Sequence, residues 1–381
     1  MLVNMRDVLT AADKYRFGQA AFNVNSVAQI QAAIEAHEIL RSPAILQGAN
    51  LANGFMGGCI DFPKCTIEDK RKGAKNIGDA VRKYAENSPI PVVLHLDHGS
   101  DFESCVAAID GGYTSVMIDG SHLSFDDNVE LTREVVKYAH ARGISVEGEL
   151  GILAGVEDDV FSESSTYTNP LKAIEFFKKT EVDALAISYG TMHGPNKGQN
   201  TVIRKEIPMA IKECMRHENI DGFLVSHGSS TVPQHIVEGI IRLGGEIKNA
   251  HGINMNQLIE VCHAGINKIN VDTDIRLATT RRVRELLQLK PEILKNERIA
   301  KVNELLLNHP SFVDPRAYLH PLMDMLMYGT VHSPEEQLLT DVIMKATQEI
   351  VYTLCAQFGS VGKADYIEPR TLEQMAKHYQ K

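Results

Sequence analysis

The sequence predicts an α/β fold: a (β/α)8 barrel of the TIM type followed by a C-terminal helical extension. Three observations carry the prediction. Eight short apolar runs recur, at 20–25, 44–49, 92–98, 115–121, 145–151, 184–190, 222–228 and 266–274. The segments between them, such as 26–40, 128–141, 171–178 and 233–242, place apolar residues at helical spacing. Strand and helix therefore alternate eight times, as in a closed parallel barrel inside a ring of helices. Third, polar residues collect at the C-terminal ends of the runs, where barrel enzymes hold their chemistry. An open doubly wound sheet ranks behind the barrel, because no Gly-x-Gly-x-x-Gly follows the first run.

Taken in order, the strand ends read as follows. Asn23 and Asn25 close the first strand, and Asp97 and His98 close the third, within Leu-His-Leu-Asp-His-Gly. Asp119 and Ser121 close the fourth and Glu149 the fifth. His193 follows the sixth in Gly-Thr-Met-His-Gly, and His227 closes the seventh in Val-Ser-His-Gly-Ser-Ser. Asn270, Asp272 and Asp274 close the eighth. Loops 151–170 and 193–204 are polar and follow strands, so they belong on the same rim, as lids or substrate contacts. Beyond 274 the chain reads as helix, broken at Pro291, Pro310, Pro315 and Pro321. The expected division is 1–285 for the catalytic barrel and 286–381 for the helical extension, packed on the barrel or on a neighbouring subunit.

Composition narrows the class. The chain has 381 residues, 44% of them hydrophobic, which is ample for a barrel plus an appendage. A net charge of −10 leaves no basic footprint for nucleic acid. Six scattered cysteines without a CxxC read as reduced, mostly buried thiols rather than a disulfide framework. No signal-peptide pattern and no membrane-length apolar run is found, so the expected location is the cytoplasm, with no membrane partner.

Each of the three histidines ends an apolar run or follows it closely, and a glycine comes next. One such histidine is ordinary. Three at one rim suggest a metal site with an open position, able to polarise a carbonyl. Zinc suits three imidazoles, and cobalt or iron is not separated from it by sequence. His95 rivals His98: by alternation His95 and Asp97 point the same way, which leaves His98 at a looser strand end. Asp97 reads either as a structural cap or as a proton acceptor beside the metal. Glu149 reads as an anchor for a metal-bound imidazole or as an alternative ligand. Glu157, Asp158 and Asp159 form a solvated charge cluster or supply a general acid/base on a closing lid. The loops 227–231 and 270–274 lie where barrels bind phosphate. There Gly228, Ser229, Ser230 and Thr273 offer donors, and Lys197 and Arg276 offer charge. Ordinary turn chemistry is the competing reading for either loop alone. Lys268, on the inward parity of Asn270 and Asp272, fills the barrel interior; as a Schiff-base lysine it would lie too deep.

These motifs together resemble the class II, zinc-dependent fructose-bisphosphate aldolases, in the subgroup with a long C-terminal extension. The likeness runs through Ala-Phe-Asn-Val-Asn (21–25), Asp-His-Gly (97–99), Val-Glu-Gly-Glu-Leu-Gly (146–151), Gly-Thr-x-His-Gly (190–194), His-Gly-Ser-Ser-x-Val-Pro (227–233), Gly-Gly-Glu-Ile-Lys (244–248) and Asn-Val-Asp-Thr-Asp-Ile-Arg (270–276). The resemblance implies reversible cleavage of fructose 1,6-bisphosphate to dihydroxyacetone phosphate and glyceraldehyde 3-phosphate. It implies one catalytic Zn2+ per subunit on His98, His193 and His227, stabilising an enediolate. Asp97 would exchange the C4 hydroxyl proton and Glu157 the C3 proton. Asn25, Gly194, Lys197, Gly228, Ser229, Ser230, Asn270, Asp272 and Thr273 fall in the substrate and phosphate region. Arg276 matches an arginine that reaches the distal phosphate of an adjacent subunit. A monovalent cation (Na+ or K+) and a homodimer or homotetramer are implied as well.

Two departures bear on the substrate. The family usually carries Gln-Ala-Ser at the end of strand 2, whereas this chain has Gln47-Gly48-Ala49-Asn50. A tyrosine usually precedes the lysine after His193, where this chain reads Gly-Pro-Asn-Lys-Gly. Tagatose 1,6-bisphosphate or sulfofructose 1-phosphate therefore stands as an alternative substrate. An inactive sugar-phosphate binding protein is the alternative of another class.

Overall fold

A computed structural model describes residues 1–61, 64–153, 155–157, 160–162, 166–194, 196–197 and 201–380, without the side chains of 155–157 and 160–162. Eight parallel strands form the barrel: β1 (Gln19–Asn23), β2 (Ala44–Ala49), β3 (Val92–Gly99), β4 (Ser115–Ile118), β5 (Ser145–Leu150), β6 (Ala184–Ile187), β7 (Phe223–Ser226) and β8 (Ile266–Val271). Neighbours in sequence are neighbours in the sheet, and β1 pairs with β8 to close it. Nearly every strand residue is buried on both faces, which is why the strands read as continuous apolar runs rather than alternating ones.

Side-chain parity builds two cores. Outward residues such as Phe22, Leu46, Leu94, Val116, Val146, Leu185, Leu224 and Ile269 pack beneath the helices. Inward residues Ala21, Ile45, Val93, Met117, Ala184, Phe223 and Val225 fill the foot of the barrel. The N-terminal helix Met5–Tyr15 plugs that foot with Met5, Val8 and Leu9. Above this apolar floor the inward positions turn polar, with Gln47, His95, Glu147 and Lys268 all buried. The fold thus sets a dry platform under the C-terminal rim.

Several sequence expectations shift at their boundaries. The eighth strand stops at Val271, and the helix Thr273–Leu289 starts two residues later and runs through residue 285. Asp274 therefore lies in its first turn, where the carboxylate accepts the amides of Thr231 (2.9 Å) and Val232 (2.8 Å) and ties the loop after β7 to that helix. Within loop 151–170 a short antiparallel hairpin pairs Gly155–Glu157 with Val160–Ser162. The long helix Pro334–Phe358 packs on Val27–Leu40 and Thr273–Leu289, and its apolar residues join the core of the barrel helices. At the chain's end, Tyr379 returns to the foot, stacks on His140 (3.6 Å between ring centroids) and donates to Asp183 (2.8 Å).

The cysteines depart from expectation. Cys59 and Cys65 form a disulfide across a sequence separation of 6, a spacing that lacks the CxxC signature, so this pair departs from the expected free thiols. Of the free cysteines, Cys105 and Cys355 are buried, while Cys214 and Cys262 are partly exposed. Among the described residues no helix is long and apolar enough to cross a membrane.

Candidate active site

Three backbone events at the rim decide which side chains meet. The first is in β3. Its pairing with β4 shifts register between Leu96 and Gly99, and His98 takes a left-handed φ of 49°. Alternation would send Asp97 and His98 to opposite faces, and the break instead lets consecutive residues serve one pocket. Asp97 is fully buried and accepts from Asn23 Nδ2 and Asn270 Nδ2, both at 2.9 Å. His95, lower in the same strand, contacts Ser115 Oγ (2.8 Å) and stays in the interior. Burial, then the charge of Lys268, lowers its pKa well below the ordinary imidazole value.

The second event is the end of β7. It delivers His227 so that its Nδ1 lies 3.0 Å from His98 Nε2. The outer nitrogens of both rings meet carboxylates: His98 Nδ1 lies 2.9 Å from Asp119 Oδ2, and His227 Nε2 lies 2.8 Å from Glu147 Oε1. Two imidazoles sharing a tetrahedral metal at 2.0–2.1 Å hold their nitrogens about 3.3 Å apart. The observed pair is close to that spacing, with each ring held by an acid on the far side, as metal-bound histidines usually are. His193 is buried beside them, its ring centroid 5.4 Å from that of His98 and 6.4 Å from that of His227. Among the described residues, the ligand atoms of Asp97, His98 and His227 lie within 4.8 Å of one another, as do those of His98, Asp119 and Glu149. The donor set fits a divalent ion.

Electrostatics follow from burial and pairing. Burial opposes charge on His98, yet Asp97, Asp119 and Glu149 together hold its pKa well above the usual imidazole value. Burial likewise opposes charge on Asp119, but His98 and the N–H and O–H of Ser121 keep its carboxyl below the usual carboxylate range. Glu147 is held low as well, against its burial, by Lys268, His227 and His95.

The third event is the loop after β7. Gly228 has φ 62°, and a Cβ there would lie 2.5 Å from the Met192 carbonyl oxygen, so only glycine fits. Val232, a β-branched residue, is also left-handed at φ 47°, held there by Asp274. Strain of this kind concentrates at ligand clamps. Ser229 and Ser230 are buried in this loop, Ser229 contacting Ser226 Oγ (2.5 Å). Lys197 reaches across to the Met192 carbonyl, and its amide donates to His251 O (2.9 Å). Asp272 precedes Thr273 at the helix start, and its carboxylate accepts from Arg276 Nε (2.8 Å). Arg276 also pairs with Asp314 of the extension (3.0 Å).

The profile of the family described as fructose-bisphosphate aldolase class-II matches residues 3–363. The chain belongs to this family. Among curated relatives, the fructose-bisphosphate aldolase of Treponema pallidum is 39% identical over 350 residues, covering 88% of this chain and 96% of the relative. That of Pseudomonas aeruginosa is 34% identical over 405 residues, covering 99% and 97%. Among solved structures, the YdjI aldolase of Escherichia coli superposes with a TM-score of 0.65 at 25% identity, covering 96% of this chain and 100% of that one. The fructose-bisphosphate aldolase of Campylobacter jejuni gives 0.67 at 19% identity, covering 95% and 96%, a likeness of fold. The class II aldolases are lyases that generally use a divalent metal, and the chain shares that chemistry class.

Within this aldolase fold the structure gathers the ligand atoms of Asp97, His98 and His227, with Asn270 bonded to Asp97, whereas His193 lies beside their rings but outside both groups of ligand atoms within 4.8 Å of one another. Asn25, at the end of β1, is buried, and its amide donates to Gln29 (2.7 Å). Gly194, at φ 78°, directly follows His193. Glu157 lies in the hairpin strand, but its side chain, like Asp158 and Asp159, lies outside the described residues. The anchoring expectation for Glu149 changes. Glu149 Oε2 is 4.0 Å from His98 Nδ1, whereas Asp119 is within hydrogen-bond reach and Glu147 holds His227. Sequence reading noted Asp119 only as a strand end and passed over Glu147. The missed signal was parity: Glu147 shares the inward face of β5 with Glu149, and buried Lys268 required an acid. The substituted position Ala49 is buried at the start of helix Asn50–Met56, and Asn50 donates to Ser100 Oγ (3.1 Å).

Proposed function

We propose that this protein reversibly cleaves fructose 1,6-bisphosphate to dihydroxyacetone phosphate and glyceraldehyde 3-phosphate at the rim of the barrel. The observation that carries the reading is the meeting of His98 Nε2 and His227 Nδ1 at 3.0 Å, each ring backed by a carboxylate, with Asp97 within the same cluster. Family membership supports the reaction class.

His98, His193 and His227 would hold a zinc ion, whose positive charge would polarise a substrate carbonyl. Asp97 has both carboxylate oxygens aimed by amide donors, so its remaining lone pairs receive the C4 hydroxyl proton as the C3–C4 bond breaks and its electron pair moves toward C2. Glu157, on the hairpin, returns a proton to C3. Gly194, Gly228, Ser229, Ser230 and Thr273 present backbone N–H and hydroxyl donors to the phosphate of the ketose half, with Lys197 adding charge. Asn25, Asn270 and Asp272 border the sugar, and Arg276 reaches the distal phosphate bound by the adjacent subunit. A monovalent cation beside the first phosphate, a homodimer or homotetramer and a cytoplasmic location complete the reading. Residues 1–285 act as the catalytic barrel and 286–381 as its extension.

The test is a cleavage panel of fructose 1,6-bisphosphate, tagatose 1,6-bisphosphate and sulfofructose 1-phosphate, each with and without EDTA. The expected result is strongest turnover with fructose 1,6-bisphosphate, abolished by chelation and restored by zinc. Turnover unaffected by chelation, or none with any ketose phosphate, overturns the proposal. A His227→Ala variant loses metal and activity together.

A further inference from the structure

Lys268 is the inward residue of β8 to which the proposed reaction gives no task. It is completely buried in the middle of the barrel. A lysine in such a place is costly unless its charge is met. Two groups meet it: Nζ donates to Glu147 Oε2 (2.9 Å) and to Asn270 Oδ1 (2.8 Å). From there the polar contacts fork toward the two halves of the site.

Along one arm, lysine carries only donors, so Asn270 must turn its carbonyl oxygen toward it. The amide Nδ2 is thereby left facing Asp97, to which it donates at 2.9 Å. Along the other arm, Glu147 gives one oxygen to Lys268 and the other to His227 Nε2, 2.8 Å away. A carboxylate only accepts, so the shorter contact to Glu147 favours a His227 proton on Nε2 over the 3.2 Å approach of Asn270 Nδ2 to that nitrogen, and in the neutral ring the bare nitrogen is then Nδ1. That bare nitrogen is the one 3.0 Å from His98 Nε2. His95 Nε2 lies 3.4 Å from Glu147 Oε2 without a hydrogen bond to it, so Lys268 and His227 are the groups that hold the acid.

We propose that Lys268 is a positioning residue for both halves of the site: through Glu147 it selects the His227 tautomer that presents Nδ1 to the metal, and through Asn270 it fixes the amide that orients Asp97. The proposal rests on the reading of the site given above. A neutral side chain of equal volume leaves Glu147 without its counter-charge in a dry interior. It also frees the Asn270 amide to turn its oxygen against the Asp97 carboxylate. Packing alone asks for neither effect, since methionine fills the same space.

The test compares wild type, Lys268→Met and Lys268→Arg. For Lys268→Met, zinc affinity measured by competition with a chelating indicator should fall about 10- to 100-fold, the usual effect of losing a group that supports a metal ligand. At saturating zinc kcat should fall by a larger factor than KM rises, because the groups Lys268 holds, Glu147 and Asn270, act on His227 and Asp97. Lys268→Arg keeps charge and donors and should recover part of the zinc affinity. Nitrogen-15 histidine spectra of the wild-type protein, metal-free and zinc-loaded, need no variant to fold, and should show the His227 proton on Nε2. A folded Lys268→Met protein with wild-type zinc affinity and kcat overturns the proposal, as does a His227 protonated on Nδ1. Should wild type itself lack chelator-sensitive cleavage, the reaction assignment fails, while zinc affinity and tautomer still decide the role of Lys268.

Discussion

Removing the acid behind one metal-facing imidazole gives a direct measure of how the site is built. Asp119 Oδ2 lies 2.9 Å from His98 Nδ1, and both groups are buried. In Asp119→Ala the ring loses that partner and is free to turn. A hydrogen bond to a charged group contributes about 1.5–3 kcal/mol, and each 1.4 kcal/mol is tenfold in affinity. Zinc affinity should therefore drop about 10- to 100-fold, the range seen when such supporting partners are lost elsewhere. Asp119→Asn keeps an acceptor but loses the charge, so its loss should be the smaller of the two. The assay is competition between protein and a zinc indicator at fixed pH, with kcat measured separately at saturating zinc. An Asp119→Ala protein that folds and binds zinc as tightly as wild type would refute the claim that Asp119 orients a metal-binding ring.

Other outcomes follow from other parts of the molecule. His37 is fully buried, with Nδ1 against the Ala33 carbonyl (2.7 Å), and burial lowers its pKa to about 4. The unfolded chain, with the imidazole near its ordinary 6.5, protonates first as pH falls; stability is thus complete above about 6.5 and is lost on the way down to about 4, by about 3 kcal/mol at most. His37→Gln should flatten the fall in unfolding free energy between pH 7 and 4, and an unchanged slope would show that His37 is not held neutral. Gly228→Ala forces a side chain into a left-handed position against Met192 O, so KM for the sugar phosphate should rise more than kcat falls, with about 1–2 kcal/mol of stability lost in denaturant melts. Asp183→Ala, at the barrel foot, leaves Arg6 with Asp221 alone and strips the acceptor from the Val146 amide and Tyr379, and should cost about 1–3 kcal/mol of stability while kcat at 25 °C holds. A drop in kcat without a drop in melting temperature would contradict that separation of foot and rim.

Much of the site is legible along the chain because strand ends are local features. The Asp97-His98 pair, the Gly-Thr-Met-His-Gly turn and the His-Gly-Ser-Ser turn each announce themselves by a polar residue closing an apolar run. The rest was hidden for definite reasons. Alternation in β3 set Asp97 against His98, and only the register break with the left-handed His98 reconciles them. Asp119 lies 21 residues from His98 and reaches it only because β3 and β4 are adjacent in the barrel. Glu147 and Lys268 are 121 residues apart, and neither strand alone shows that the other exists.

Periodicity and composition, read along the chain, were enough to specify eight strand–helix units and the rim on which polar residues gather, because burial and turn chemistry act on neighbouring residues. Closure of the barrel decided the remainder. It brought distant strands side by side and set which nitrogen of each imidazole faces inward. It also joined Asp97, Asn270, Lys268, Glu147 and His227 into one hydrogen-bonded set. Such pairings depend on which strands meet across the interior, and that information resides in the packing of the whole chain.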